Sequence, residues 1–151
     1  MSLWFGDVAG IDLPAMASGT LIENLGIEIV ELRDDALVGR MPVDHRTVQP
    51  AGVLHGGASV ALAETLASWA GYLAVDRDRF HVVGMEINAN HLRPISSGWV
   101  TATATPISTG RRAHVWEVRI MDDIGKLVCI SRCTLAVIEQ RSTYGTPDSR
   151  G

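Results

Sequence analysis

The chain has 151 residues, 46% hydrophobic and 20% charged, with a formal net charge of −4 and a pI near 5.7. That length holds a real core, and the expectation is a single domain over residues 1–151 with its core at about 20–138. The acidic balance argues against nucleic acid or an anionic membrane surface as the main partner, so an anionic ligand would have to be met by a local arginine cluster.

The first residues, MSLWFGDVAGIDL, lack the basic start and apolar run of a secretory signal. Residues 11–25 carry a weak helical pattern that closes at Gly26. Residues 27–32 and 36–43 then alternate about Asp34 and Asp35, which predicts a hairpin. A polar loop between Pro42 and Pro50 leads to a long helix starting at Gly56 and Gly57, with strong propensity through Ala58, Leu62, Ala63 and Leu66. Residues 57–75 are long enough to cross a bilayer. However, Glu64 sits near the middle of the run, alanine dominates it, and Asp76 to Arg79 mix both charge signs at its flank, so a core helix is the better reading.

Beyond residue 80 the pattern is strand-like over 82–92, 99–108, 113–121 and 127–138, with turn formers at the joints. In residues 99–105 the alternation puts Thr101, Thr103 and Thr105 on one face and Val100, Ala102 and Ala104 on the other. Cys129 and Cys133 lie in an apolar stretch with no Cys or His at metal-ligand spacing, and read as reduced structural thiols of a cytoplasmic protein. The polar residues 140–151 are expected to fray. Parallel winding needs a helix between successive strands, and none follows residue 80. The expected class is α+β: an antiparallel sheet curled around one long central helix, approached closely over Ala58, Ala61, Ala67 and Ala70.

Glu64 is the one charged side chain in residues 50–71, and a carboxylate in so apolar a run is costly to bury. On a helix it shares a face with Val60, Ala61, Ala67 and Ser68. His55 precedes the helix, and the amides of Gly56 and Gly57 lie in its first turn, where no intrahelical acceptor exists. Such an end can clamp a carbonyl that becomes an oxyanion, and Gln49 adds a polar amide from the same loop. Carboxylate, hydroxyl and clamp together suit attack on an acyl carbon. The bland alternative stays open on the residues alone: Glu64 pairs with an arginine, His55 caps the helix and the glycines only make a turn.

The stretch VQPAGVLHGGASVALAETLAS, with its pattern Q-x5-HGG-x5-AE-x3-S, resembles the signature of the hotdog-fold acyl-CoA thioesterases. The likeness is to the branch that includes 4-hydroxybenzoyl-CoA thioesterase, phenylacetate-pathway thioesterases and the aryl-CoA thioesterases of menaquinone and siderophore metabolism. It extends through NANHLRPISSG and STGRR to about residue 138. The resemblance implies that Glu64 is the catalytic carboxylate, as nucleophile or as general base on water. It implies that the Gly56 N–H polarises the thioester carbonyl, that Gln49 and His55 orient the thioester, and that Ser68 positions the water. It also implies a site shared between two subunits of a dimer or dimer of dimers (a homotetramer). Arg93, with Ser108, Thr109, Gly110, Arg111 and Arg112, falls where relatives bind the phosphates and nucleotide of coenzyme A.

Outside that set, His91 could reach the acyl end of the pocket or be a satisfied strand histidine. His45, His81 and His114 are scattered, are expected to be solvated, and form no metal set. The expected activity is hydrolysis of an aryl- or medium-chain acyl-CoA, with no cofactor and coenzyme A present only as part of the substrate. A hotdog dehydratase acting on hydroxyacyl thioesters and a non-catalytic acyl-CoA-binding module are the rivals. The first resembles a different His and carboxylate spacing. The second commonly carries an added DNA-binding segment, for which this chain has no room.

Overall fold

The computed structural model describes residues 2–140, so nearly all of the 140–151 tail lies outside the described residues. Two short helices, α1 (Leu13–Ala17) and α2 (Leu21–Asn24), precede the hairpin of β1 (Glu28–Leu32) and β2 (Leu37–Pro42). The long helix α3 (Gly56–Ala74) follows, then β3 (Phe80–His91), β4 (Trp99–Thr109), β5 (Ala113–Met121) and β6 (Leu127–Glu139). The strands form one antiparallel sheet in the order β1-β2-β4-β5-β6-β3. The weak pattern over 11–25 resolves into two one-turn helices because Ser18 to Thr20 break it, with Gly19 at φ 72°.

The period-2 alternation builds the core. Val100, Ala102 and Ala104 of β4 are fully buried, as are Trp116, Val118 and Ile120 of β5 and Cys129, Cys133 and Leu135 of β6. They pack on Leu62, Ala63, Leu66, Ala67 and Ala70 of α3. The helix is therefore not buried all round. Ala67 belongs to the core face, whereas Val60, Ala61, Glu64, Thr65 and Ser68 form a half-open face that the sheet leaves uncovered. Ala61, expected against the sheet, lies on that open face. No helix among the described residues is long and apolar enough to cross a membrane.

One histidine departs from expectation. His114 is buried, because the inward phase of β5 carries it beside Trp116, and its Nδ1 has no partner among the described residues. Burial holds its pKa below the usual imidazole value. A depressed value means the native state prefers the neutral ring. Stability is thus full above about pH 6.5 and falls as pH drops below it, since only the unfolded chain takes up the proton there. Urea midpoints should fall from pH 7 to pH 5 in the wild type, and less steeply in His114→Leu. Equal slopes would remove His114 as the cause.

Candidate active site

The loop before α3 is held from several sides. The buried Thr47 donates its hydroxyl to Pro42 O at 2.7 Å, His55 N donates to Thr47 O at 2.8 Å, and Leu54 N donates to Ile95 O at 2.6 Å. Gln49 closes a tight turn: its side-chain oxygen accepts from Ala51 N at 2.5 Å, which leaves its NH2 group free to donate. His55 is the N-cap of α3, its Nδ1 accepting from Gly57 N at 2.8 Å, so a neutral ring carries its proton on Nε2. Ala58 N and Ser59 N both turn to His55 O. Gly56 N–H is left without an acceptor among the described residues, at the positive end of a 19-residue helix.

The ring of His91, at the end of β3, lies over Gly56; a Cβ there would sit 2.8 Å from His91 Nε2. Gln49, Gly56, Ser59, His91 and Arg93 line one cavity of about 340 Å³. Arg93 and His91 are exposed, and Gln49 and Gly56 half-buried.

Glu64 opens elsewhere. With Gly57, Thr65, Ser68 and Trp69 it lines a second cavity of about 450 Å³, walled on one side by Leu21 and Ile22 of α2. Glu64 is half-buried and has no cation within ion-pair distance among the described residues, so the arginine pairing of the bland alternative is not formed. The capping role for His55, by contrast, is real. Glu64 Oε1 rests on the backbone of β3 at Gly84, where a Cβ would lie only 2.5 Å away, and the register slips between Gly84 and Glu86. The carboxylate is felt beneath the strand as well. The Cys133 thiol is pushed up to about 12, first by burial and then by the charges of Glu64 and Glu86.

Gly56 and Glu64 are eight residues apart, about 12 Å along the helix axis. An attacking group and an oxyanion donor must both stand about 3 Å from one carbonyl. One chain therefore holds the Gln49–Gly56–His91 group and the Glu64–Ser68 pair in separate cavities. The arginines are divided too. Ser108, Thr109, Gly110, Arg111 and Arg112 are exposed at the β4–β5 turn, where Val137 N donates to Arg112 O at 2.9 Å. That is the opposite end of the sheet from Arg93, roughly 26 Å away by the length of β5.

Sequence reasoning missed Gly84, Thr65, Trp69, Ser59 and the α2 pair Leu21 and Ile22. A glycine inside a strand pattern is a signal of close approach, and Gly84 could have been found that way. Nothing local marks Leu21 and Ile22, which reach the cavity through the tertiary packing of a four-residue helix.

A family model described as Thioesterase superfamily matches residues 51–129, just over half of the chain, which takes in all of α3 with Gly56, Glu64, Ser68 and His91 and begins two residues after Gln49. The proofreading thioesterase EntH of Cronobacter turicensis is 52% identical over 126 residues, covering 83% of this chain and 91% of that protein. The 1,4-dihydroxy-2-naphthoyl-CoA hydrolase of Escherichia coli is 44% identical over 136 residues, covering 90% and 99%. Among solved structures, a thioesterase from Haemophilus influenzae superposes with a TM-score of 0.89 at 49% identity, over 95% of this chain and 99% of that one. With sheet, helix and sequence all matched over most of its length, the chain belongs to the thioesterase superfamily and is a hotdog-fold thioester hydrolase.

Proposed function

We propose that the protein hydrolyses aryl- or medium-chain acyl-CoA thioesters in the cytoplasm, as a dimer or dimer of dimers whose sites are each built from two chains. The observation that carries this is the pair of incomplete half-sites: among the described residues, Gly56 N–H has no acceptor in one cavity and Glu64 no ion-pair partner in another. The carbonyl oxygen is held by Gly56 N–H, with the Gln49 amide orienting the thioester. Glu64 of the second chain either takes a proton from a water held by Ser68 or attacks the carbon itself. In both routes a C–O bond forms, the C–S bond breaks, and the coenzyme A thiolate leaves and is protonated; where Glu64 is the nucleophile, water then cleaves the acyl–Glu64 anhydride, releasing the free acid and restoring the carboxylate. Water and these side chains suffice, so no cofactor is called for. The E. coli relative is named for an aryl-CoA, which supports an aryl group here.

The edge strand β3 supports the assembly. Its outer edge is unpaired among the described residues, and Val83, Met85 and the neighbouring Leu92 are exposed. Suppose two copies of β3 pair antiparallel about a centre between Ile87 and Asn88. Gly84 of one then faces His91 of the other, which sets Glu64 beside the second copy's Gly56. The same register sets Arg93 opposite Val82, whose β6 neighbour Val137 is bonded to Arg112. One pairing thus unites both half-sites and both arginine groups.

A thiol-release assay across an acyl-CoA panel tests the reading, with benzoyl-CoA and hexanoyl-CoA expected to be turned over. A dehydratase or a pure binding module would release no thiol from either. Arg93→Ala, Arg111→Ala and Arg112→Ala should raise KM more than they lower kcat, because they hold the phosphates in ground and transition state alike. Their KM should also respond less to added salt. Wild-type KM in all three at low ionic strength would put the phosphate site elsewhere.

A further inference from the structure

Behind the Glu64 cavity lies another of about 430 Å³, lined by Pro14, Ala17, Gly26, Ile27 and Ile29 among others. Trp69 is the residue that lines both. It sits on α3 just past Ser68, half-buried and packed against the core, and contributes to the lining of both spaces. The short helix α2 completes the partition, since Leu21 and Ile22 face the first cavity and Glu23 the second. The acidic residues at the rear cavity are already engaged: Glu23 Oε2 accepts from Gly19 N at 2.6 Å, and Glu28 pairs with Arg40 at 2.8 Å. What remains facing the rear space is mainly aliphatic, the lining of a site for hydrocarbon rather than for a polar ligand.

We propose that Trp69 is the floor of the acyl subsite and sets the longest acyl group the enzyme accepts, the apolar cavity behind it being an unused extension. This rests on the acyl-CoA reading above. An acyl carbon attacked beside Glu64 leaves its chain or ring directed along the Val60–Ala61–Trp69 face of α3, and the indole stops it. Removing the indole joins two apolar spaces of similar size and lets a chain run on between α1 and β1. An aryl group gains nothing from the extension and loses a wall.

The test is thiol release from benzoyl-, hexanoyl-, dodecanoyl- and tetradecanoyl-CoA by the wild type, Trp69→Ala, Trp69→Phe, and Trp69→Ala combined with Ile29→Phe. In the wild type, kcat/KM should fall between the hexanoyl and dodecanoyl substrates. Trp69→Ala should raise the dodecanoyl-to-benzoyl ratio at least about tenfold, mainly through KM, on the scale expected when a pocket wall is moved. Trp69→Phe, which shortens the wall without removing it, should raise the ratio less than Trp69→Ala does, and Ile29→Phe, refilling the rear cavity, should take most of the gain away. An unchanged ratio in a Trp69→Ala enzyme that still turns over benzoyl-CoA overturns the floor and leaves the acyl-CoA reading standing. So does a wild type that already prefers dodecanoyl-CoA. A wild type that releases thiol from none of the four overturns both. Should Trp69→Ala fail to fold, Trp69→Leu is read on the same panel, where a smaller gain supports the floor and an unchanged ratio overturns it.

Discussion

Glu64→Gln is expected to fold and assemble like the wild type while losing at least about 10²-fold in kcat. The side chain makes no ion pair or hydrogen bond among the described residues, and it faces an open cavity, so the isosteric amide removes no native partner. It also lifts a negative charge from an otherwise uncharged helix face, and stability should be unchanged or slightly higher. The chemistry is another matter. An amide neither accepts a proton from water at neutral pH nor attacks a thioester, whichever of the two roles Glu64 plays. Urea unfolding and size-exclusion elution provide the controls, and single-turnover thiol release provides the rate. Near wild-type turnover would sink the mechanism. A variant that fails to fold would instead make Glu64 a structural residue.

Much of this fold is legible in the chain because its elements have strong local periods. The Thr/Val-Ala alternation of β4 names its buried face correctly, and the apolar run after His55 starts its helix at Gly56 as expected. The missing helices after residue 80 force the antiparallel sheet. The pattern of Gln49, His55, Gly56, Glu64 and Ser68 is legible for the same reason, since all five lie on one loop and one helix. What local pattern cannot carry is which way a face turns once it packs. Ala61 and Ala67 look alike in sequence, yet one lines the Glu64 cavity and the other is fully buried under the sheet. His114 looks like any strand histidine, and only the phase of β5 puts it inside. The arginines of the two loops likewise look like one patch in sequence, and the sheet holds them a full strand length apart.

That separation bears on the last expected result, restoration of activity by mixing two dead enzymes. Suppose Glu64→Ala chains and Gly56→Val chains are each inactive, the first lacking the carboxylate. In the second, the added side chain would strike the His91 ring and close the carbonyl clamp. If each site takes Gly56 from one chain and Glu64 from the other, a mixed dimer contains one site with both defects and one with neither. Random exchange of equal amounts makes half of all dimers mixed, each with one intact site of two. Activity should therefore recover to about a quarter of wild type per chain, by the symmetry of a two-fold interface. The measurement is thiol release against time after mixing, with exchange followed separately through a fluorophore on each parent. Full exchange without recovered activity would place both groups in one chain's site, and would require the helix geometry that holds them about 12 Å apart to change on substrate binding.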